Sequence, residues 1–167
     1  GAYGGEMSQV ALETDVMGFD GTLSTLSGAE QRFGYRSSAF QSMGKVIVKA
    51  RFRLAPGDPG VIQATMRELQ QKRRNSQPLN LPSSGSTFKR PAQGYAAALI
   101  EQAGLKGLRV GGASVSAKHA GFVVNDQNAT CADVLALIAE VQEKVYAHSG
   151  VRLEPEVRIL GGEQCNS

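Results

Sequence analysis

The chain has 167 residues, a formal net charge of +3 and a hydrophobic share of 41%, which suits one sizeable domain or a small domain joined to part of another. No apolar run approaches the roughly 20 residues of a membrane span, so no membrane-embedded protein is predicted. Cys131 and Cys165 lack metal-binding spacing, and the only histidines that could join them as metal ligands are His119 and His148. We therefore expect no metal site and no disulfide framework, but a protein of the reducing cytoplasm.

Three strands are predicted in the first third of the chain. Residues 10–16 alternate between apolar and polar, and Asp20-Gly21 offers a hairpin turn into a second strand at 22–26. A loop is predicted at 34–40, before a third strand at 45–54. This third strand alternates apolar with basic residues, so we expect one basic face that is solvated or contacts an anionic group.

Two helices and a long loop are predicted in the middle of the chain. Asp58 as the N-cap and Pro59 at the first helical position begin a helix that runs to about Arg74. Residues 76–91 carry four serines and three prolines and are predicted to be a loop. A short alanine-rich helix is predicted at 95–102, with Gly104 as its C-terminal cap.

The densest basic cluster, Lys72-Arg73-Arg74, lies at the predicted end of the first helix. Cations at this end interact favourably with the helix dipole, which predicts a solvated helix terminus. The alternative is attraction of a polyanion such as a nucleotide diphosphate. The net charge is too small, and the aromatic residues are too few, to indicate a nucleic-acid-binding domain, so no nucleic acid partner is expected.

The last third combines short strands with one long helix. Strands are predicted at 108–111 and 122–125, and a final strand at 152–160. Thr130 with Asp133 resembles a capping box, and Gly150 ends the helix that follows it. Its predicted buried stripe consists of Val134, Leu137, Ile138, Val141 and Val145.

The order of these elements has no regular βαβ repeat and predicts an α+β fold. Residues 76–167 would form one domain, a small and largely antiparallel sheet covered by two helices. The strand-rich residues 1–75 would belong to another domain, with the boundary near 74–82.

The sequence Gly-Ser-Thr-Phe-Lys-Arg-Pro at residues 85–91 is the most informative motif. Alone, it is typical of a tight turn before a helix, with Ser86 as a turn hydroxyl. However, Ser86 lies between a glycine that permits an unusual backbone turn and the two cations Lys89 and Arg90. That arrangement also suits a hydroxyl that faces an anionic ligand.

This motif resembles the active-site signature of the UDP-N-acetylenolpyruvoylglucosamine reductases. Six further blocks resemble the same family in the same order, at residues 1–7, 34–40, 104–107, 111–116, 119–125 and 153–158. The resemblance implies that 1–75 is the strand-rich second half of a flavin-binding domain and 76–167 the substrate-binding domain. It also implies a fragment of the shorter form of the enzyme, without a tyrosine lid, which in isolation would bind no FAD and be inactive.

The family implies a reaction in which FAD and NADPH reduce UDP-N-acetylglucosamine enolpyruvate to UDP-N-acetylmuramate for peptidoglycan synthesis. Ser86 would donate a proton to the basic carbon next to the substrate carboxylate, because nearby cations can stabilise an alkoxide. By resemblance Arg36 and Glu156 would also be catalytic. The residues expected to bind the substrate are Tyr35, Arg90, Lys106 and His119, and those expected to bind the cofactor are Gly1, Ala2, Tyr3 and Gly4.

Three of these residues also have a structural interpretation. Arg36 could be a surface hydrogen-bond donor, Glu156 an ordinary charge on a strand edge, and Lys106 a cation placed by a helix dipole. His119 replaces an amide of some relatives, and Arg90 replaces an asparagine. At the level of the whole chain, a nucleotide-sugar-binding module without redox activity is the alternative function.

Overall fold

The computed structural model describes residues 3–160 and has the α+β architecture that the sequence predicts, with four helices and two small antiparallel sheets in that range. The chain divides into two compact units, Gly1–Leu69 and Gln70–Ser167. The division into functional domains at residues 75 and 76 stays a prediction, because compactness alone does not define a flavin-binding or substrate-binding domain.

The first unit is built on a three-stranded antiparallel sheet. After a single helical turn, α1 (Met7–Val10), the strands are β1 (Ala11–Met17), β2 (Leu23–Ser27) and β3 (Val46–Phe52), in the spatial order β2-β1-β3. Short 3₁₀ helices lie between β2 and β3, at Gly28–Gln31 and Ala39–Gln41. All three predicted strands are thus present, and the predicted hairpin turn joins β1 to β2.

A small buried cluster holds the first 3₁₀ helix against β1. Thr14 and Val16 are buried on the strand, and Gln31 is buried beneath them. The Thr14 hydroxyl donates to Gln31 Oε1 at 2.9 Å, which satisfies two polar groups that would be costly to bury unpaired. Polar side chains therefore contribute much of the small core of this unit.

The edge strand β3 is exposed along its whole length. The alternating pattern of this segment predicted a basic face and an opposite apolar face. The structure leaves both faces accessible, and Val46, Val48 and Phe52 are each about half exposed. Two register shifts interrupt its pairing with β1, which is typical of strands at sheet edges.

The helix α2 (Pro59–Ser76) begins where the sequence predicts and extends two residues further. Asp58 Oδ1 accepts a hydrogen bond from the Val61 amide at 2.8 Å, the contact expected of an N-cap carboxylate. All 18 residues of this helix are described and none of them is buried. Arg73 and Arg74 lie in its last turn, as the helix-dipole interpretation predicts.

The second unit is a four-stranded antiparallel sheet with two helices. Its strands are β4 (Ser83–Ser86), β5 (Arg109–Val110), β6 (Ala113–Val115) and β7 (Phe122–Asn125), in the order β4-β7-β6-β5. The helices are α3 (Ala96–Gln102) and α4 (Cys131–Ser149). Residues from the sheet and from both helices pack into one hydrophobic core.

The sequence predicted α4 accurately. The Thr130 hydroxyl accepts from the Asp133 amide at 3.1 Å, and Asp133 Oδ2 accepts from the Thr130 amide at 2.9 Å, which completes the capping box. Leu137, Ile138 and the two valines that follow in the stripe are buried, whereas Val134 is partly buried. Gly150 ends the helix in the left-handed conformation with φ 70°.

Two predictions in the second unit are wrong, and one strand was missed. The predicted loop at 76–91 contains β4, and the strand β6 was not predicted. The predicted final strand at 152–160 is an irregular segment with one isolated bridge, between Phe88 and Pro155. In each case tertiary pairing, rather than intrinsic preference, decides whether a short segment forms a strand.

No helix within residues 3–160 is long and apolar enough to cross a membrane. In the same range, no three histidine, cysteine, aspartate or glutamate side chains gather into a group that could hold a metal ion.

Candidate functional site

Ser86 lies at the end of β4, where the strand pairs with Phe122 of β7. The pairing shifts register between Ser83 and Ser86, and Gly85 adopts φ 82° within this irregular stretch. A side chain at residue 85 would strain that conformation. The Ser86 side chain is exposed, so its hydroxyl is accessible to a ligand.

The segment that contains Glu156 runs alongside Ser86. The Glu156 amide donates to the Thr87 carbonyl oxygen at 2.8 Å, and the Lys89 amide donates to the Glu154 carbonyl oxygen at 2.8 Å. The structure therefore brings Glu156 to the residue that follows Ser86, although the two are distant in sequence. Glu156 is half-buried.

Glu154, which only Pro155 separates from Glu156, pairs with a cation of the motif. The Glu154 carboxylate forms an ion pair with the Lys89 ammonium group and is exposed. This pairing occupies one of the two cations that follow Ser86 in the motif.

The other cation of the motif, Arg90, stacks on an aromatic ring. Its guanidinium carbon lies 4.1 Å from the centre of the Tyr95 ring, in the geometry of a cation–π contact. Tyr95 is the N-cap residue of α3. Arg90 is exposed, as is Tyr95, so a ligand could contact both.

His119 lies in the loop that leads into β7. Its Nδ1 accepts a hydrogen bond from the Gly121 amide at 3.2 Å, and its amide donates to Ser116 Oγ at 3.3 Å. The imidazole meets the Phe122 ring edge to face, with the ring centres 4.9 Å apart. Because Phe122 pairs with Ser86, His119 lies near the end of β4. Since Nδ1 accepts a hydrogen bond, the neutral imidazole carries its proton on Nε2.

Lys106 lies in the connection from α3 to β5. The helix α3 ends with Gly104 in the left-handed conformation, φ 72°, as the sequence predicts. The Lys106 ammonium group forms an ion pair with Glu101 of that helix. An open cleft of about 710 Å³ is lined by Lys106 and by Lys144 and His148 of α4.

The remaining predicted site residues belong to the first unit. Tyr35 and Arg36 form the tip of a tight turn, in which Gly34 and Ser37 exchange two backbone hydrogen bonds of 3.0 and 3.2 Å. Arg36 has φ 53° and its carbonyl oxygen accepts from Gln41 Nε2 at 3.0 Å, which fixes the turn.

Of the four predicted cofactor-binding residues, Tyr3 and Gly4 lie in a turn with φ 52° and 82°. Gly1 and Ala2 lie outside the described residues.

The structure also shows an ion pair that the sequence did not indicate. Both terminal nitrogens of Arg109 donate to the Asp126 carboxylate at 2.7 Å, and the Ser114 hydroxyl donates to the same carboxylate at 3.2 Å. The guanidinium lowers the pKa of Asp126 below its ordinary value. This pair ties β5 to the end of β7, so its role is structural.

Thr87 is the residue near Ser86 that sequence reasoning missed. It is buried, and its backbone and hydroxyl both bond to neighbouring segments. Its only sequence signal is its place beside Ser86.

Comparison with solved structures places this α+β architecture in a known class of fold. The crystal structure of UDP-N-acetylenolpyruvylglucosamine reductase from Thermus caldophilus superposes with a TM-score of 0.80 at 34% sequence identity, over 95% of this chain and 56% of that one. The fold is therefore that of the corresponding part of a reductase known by that name.

Sequence comparison then gives the family. The model of the UDP-N-acetylenolpyruvoylglucosamine reductase C-terminal domain matches residues 77–160. Reductases of the same name from Levilactobacillus brevis and Streptococcus pneumoniae are 50% and 51% identical, over 98% and 96% of this chain. The chain belongs to the UDP-N-acetylenolpyruvoylglucosamine reductase family, which confirms the predicted resemblance. It spans about half the length of the curated relatives it matches, 54% in both cases.

Proposed function

We propose that the protein containing this chain reduces UDP-N-acetylglucosamine enolpyruvate to UDP-N-acetylmuramate, a cytoplasmic step of peptidoglycan precursor synthesis. Family membership supports the reaction. The observation that carries the proposal within the structure is the exposed Ser86 hydroxyl at the end of β4, beside the segment of Glu156.

The reduction adds one hydride and one proton across the enolpyruvyl double bond. The hydride, which originates from NADPH, forms a C–H bond at the terminal methylene carbon as the π bond breaks. The electron pair of that bond then resides on the carbon next to the carboxylate, which becomes strongly basic. A proton from a nearby acid completes the lactyl ether product, and NADP⁺ is the oxidised co-product.

Ser86 is the proposed acid. An alcohol is a weak acid, but a carbanion-like enolate is basic enough to take its proton, particularly where cations stabilise the resulting alkoxide. Solvent then returns a proton to the Ser86 oxygen. Glu156 orients the intermediate or assists this protonation, and Arg36 binds the substrate carboxylate through its planar guanidinium group.

The redox chemistry would be supplied by bound FAD, as carrier of the hydride between NADPH and the substrate. Tyr3 and Gly4 fit a role in holding it. Their left-handed turn leaves both residues exposed, and a side chain added at Gly4 would meet no atom within 4 Å. A flat ligand thus has room to approach this backbone, and Gly1 and Ala2 complete the proposed contact segment.

Four residues are proposed to bind the nucleotide-sugar part of the substrate. Lys106 and Arg90 supply positive charge for phosphate or carboxylate oxygens. His119 Nε2 supplies a hydrogen-bond donor at the end of β4, and Tyr35 supplies an exposed aromatic ring.

The proposal is tested by measuring the two half-reactions of the FAD-loaded protein containing this chain, with Ser86 replaced. Ser86→Ala should leave the reduction of FAD by NADPH nearly unchanged. Reoxidation by the enolpyruvyl substrate should slow by about 10²-fold or more, the usual effect of losing a general acid. Ser84→Ala, which removes another exposed hydroxyl of the same strand, is the control and should change neither rate.

Two outcomes would contradict the proposal. If the parent protein binds the nucleotide-sugar without reducing it, the chain belongs to a binding module. If Ser86→Ala slows both half-reactions equally, the serine is structural.

A further inference from the structure

Three segments of the second unit meet at Thr87. Its amide donates to the Gly121 carbonyl oxygen at 2.8 Å, and its carbonyl oxygen accepts from the Glu156 amide at 2.8 Å. Its hydroxyl oxygen accepts from the Val123 amide at 3.0 Å. Thr87 is only 3% exposed, so water cannot replace any of these bonds easily.

The hydroxyl bond is the one that depends on the identity of the side chain, because every amino acid except proline could make the two backbone bonds. The register between β4 and β7 shifts just before Thr87, between Ser83 and Ser86. At this irregular point the Val123 amide is satisfied by the Thr87 side chain. Without that oxygen, a buried donor of β7 would be left unpaired, and β4 could relax away from β7.

Ser86 and Glu156 are joined through this residue. Ser86 precedes Thr87 directly along the chain, and the Glu156 amide is held by the carbonyl group of Thr87. A movement of Thr87 therefore moves the proposed acid and the Glu156 segment together relative to β7. Proton transfer is sensitive to such movements, because a misplacement of about 1 Å can lower a rate by roughly 10²-fold.

We propose that Thr87 is a positioning residue for the reaction, whose buried hydroxyl holds Ser86 and Glu156 in register with β7. This inference rests on the proposed function, since it concerns the protonation step assigned to Ser86. Thr87 touches neither substrate nor cofactor in this role. It acts by holding Ser86 and the Glu156 segment in position.

Replacements at residue 87 separate the effect of the hydroxyl group from the effect of side-chain size. Thr87→Val keeps the shape but removes the acceptor, and Thr87→Ser keeps the acceptor but removes a methyl group. Thr87→Cys keeps an atom at the acceptor position that accepts hydrogen bonds only weakly. The protonation rate should therefore fall in the order threonine, serine, cysteine, valine, which does not follow the order of side-chain volume.

The experiment measures both half-reactions of the FAD-loaded protein by stopped-flow absorbance, together with the substrate KM and the melting temperature. Thr87→Val should slow reoxidation by the enolpyruvyl substrate by about tenfold or more. Reduction of FAD by NADPH and the substrate KM should each stay within about twofold of the parent. Thr87→Ser should recover most of the reoxidation rate. Ser114→Ala removes a different buried hydroxyl of the same sheet and should change neither half-reaction.

Three results would overturn the inference. Reoxidation by Thr87→Val within twofold of the parent would show that the hydroxyl does not position the acid. Equal slowing of both half-reactions would show a general structural role. If Thr87→Val does not fold, a Thr87→Cys variant that reoxidises at the parent rate would likewise show that the hydroxyl does not position the acid. A parent protein that fails to reduce the substrate at all would instead refute the proposed function.

Discussion

Ser86 differs from the neighbouring serines in its surroundings rather than in its own chemistry. Its glycine and cations lie next to it in sequence, so the motif could be found without a structure. The contact between Thr87 and the Glu156 segment joins residues from opposite ends of the second unit. No local pattern predicts such a contact, because it exists only after β4 has paired with β7.

The pair of Arg109 and Asp126 gives a prediction about pH at this same scale. The side-chain hydrogen bonds from Arg109 lower the pKa of Asp126 in the folded chain below its ordinary value of 3.8. A lowered folded-state pKa adds stability that is present above the unfolded-state pKa and is lost as the pH falls towards the folded-state value. The stability contributed by this pair should therefore begin to fall below about pH 4 and be lost as the pH approaches the lower folded-state pKa.

Urea unfolding of the chain at several pH values checks this expectation. Asp126→Asn should unfold at a lower urea concentration than the parent at pH 7, and the difference should shrink as the pH falls below about 4. Glu143→Gln, which neutralises an exposed acid on α4, is a control for the change in net charge. A difference between parent and Asp126→Asn that is constant from pH 7 to pH 3 would show that the ion pair contributes no pH-dependent stability.

At the scale of helices and strands, the sequence predicts the elements whose ends and buried face are marked by residues within the element itself. The helix α4 has its cap, its buried stripe and its terminating glycine within one continuous segment, and all three are found. The short strands β4 and β6 lack such signals. Gly85 and the serines around it have low strand preference, and only pairing with β7 makes this stretch a strand. Conversely, residues 152–160 alternate like a strand but have a single bridge.

The capping box of α4 gives a prediction at this scale. Thr130→Ala should lower the free energy of unfolding by about 1 kcal/mol, because the Asp133 amide loses its acceptor at the helix start. Thr130→Ser keeps the hydroxyl and should lose much less. Thermal or urea unfolding, followed by circular dichroism, measures both. Equal loss in the two variants would assign the effect to the threonine methyl group instead of the cap.

At the scale of the whole chain, the two units differ in how they are stabilised. The hydrophobic core that joins sheet and helices consists of residues between Phe88 and Leu153, all in the second unit. In the first unit the buried side chains on the sheet are Thr14 and Val16, and Gln31 of the first 3₁₀ helix is buried as well. Apolar burial is the dominant favourable term in folding, so the second unit should be the more stable of the two.

Hydrogen exchange of the 167-residue chain, read by mass spectrometry on peptides, tests this difference. Amides open with a free energy that ranges from near zero in poorly packed segments to the global value in a core. Peptides from α4, which includes the buried Leu137 and Val141, should exchange slowest. Peptides from β3 should exchange by orders of magnitude faster, because this edge strand is exposed throughout. Equal protection of β3 and α4 in dilute solution would contradict the prediction, since it would require a packing partner for β3 that residues 3–160 do not show.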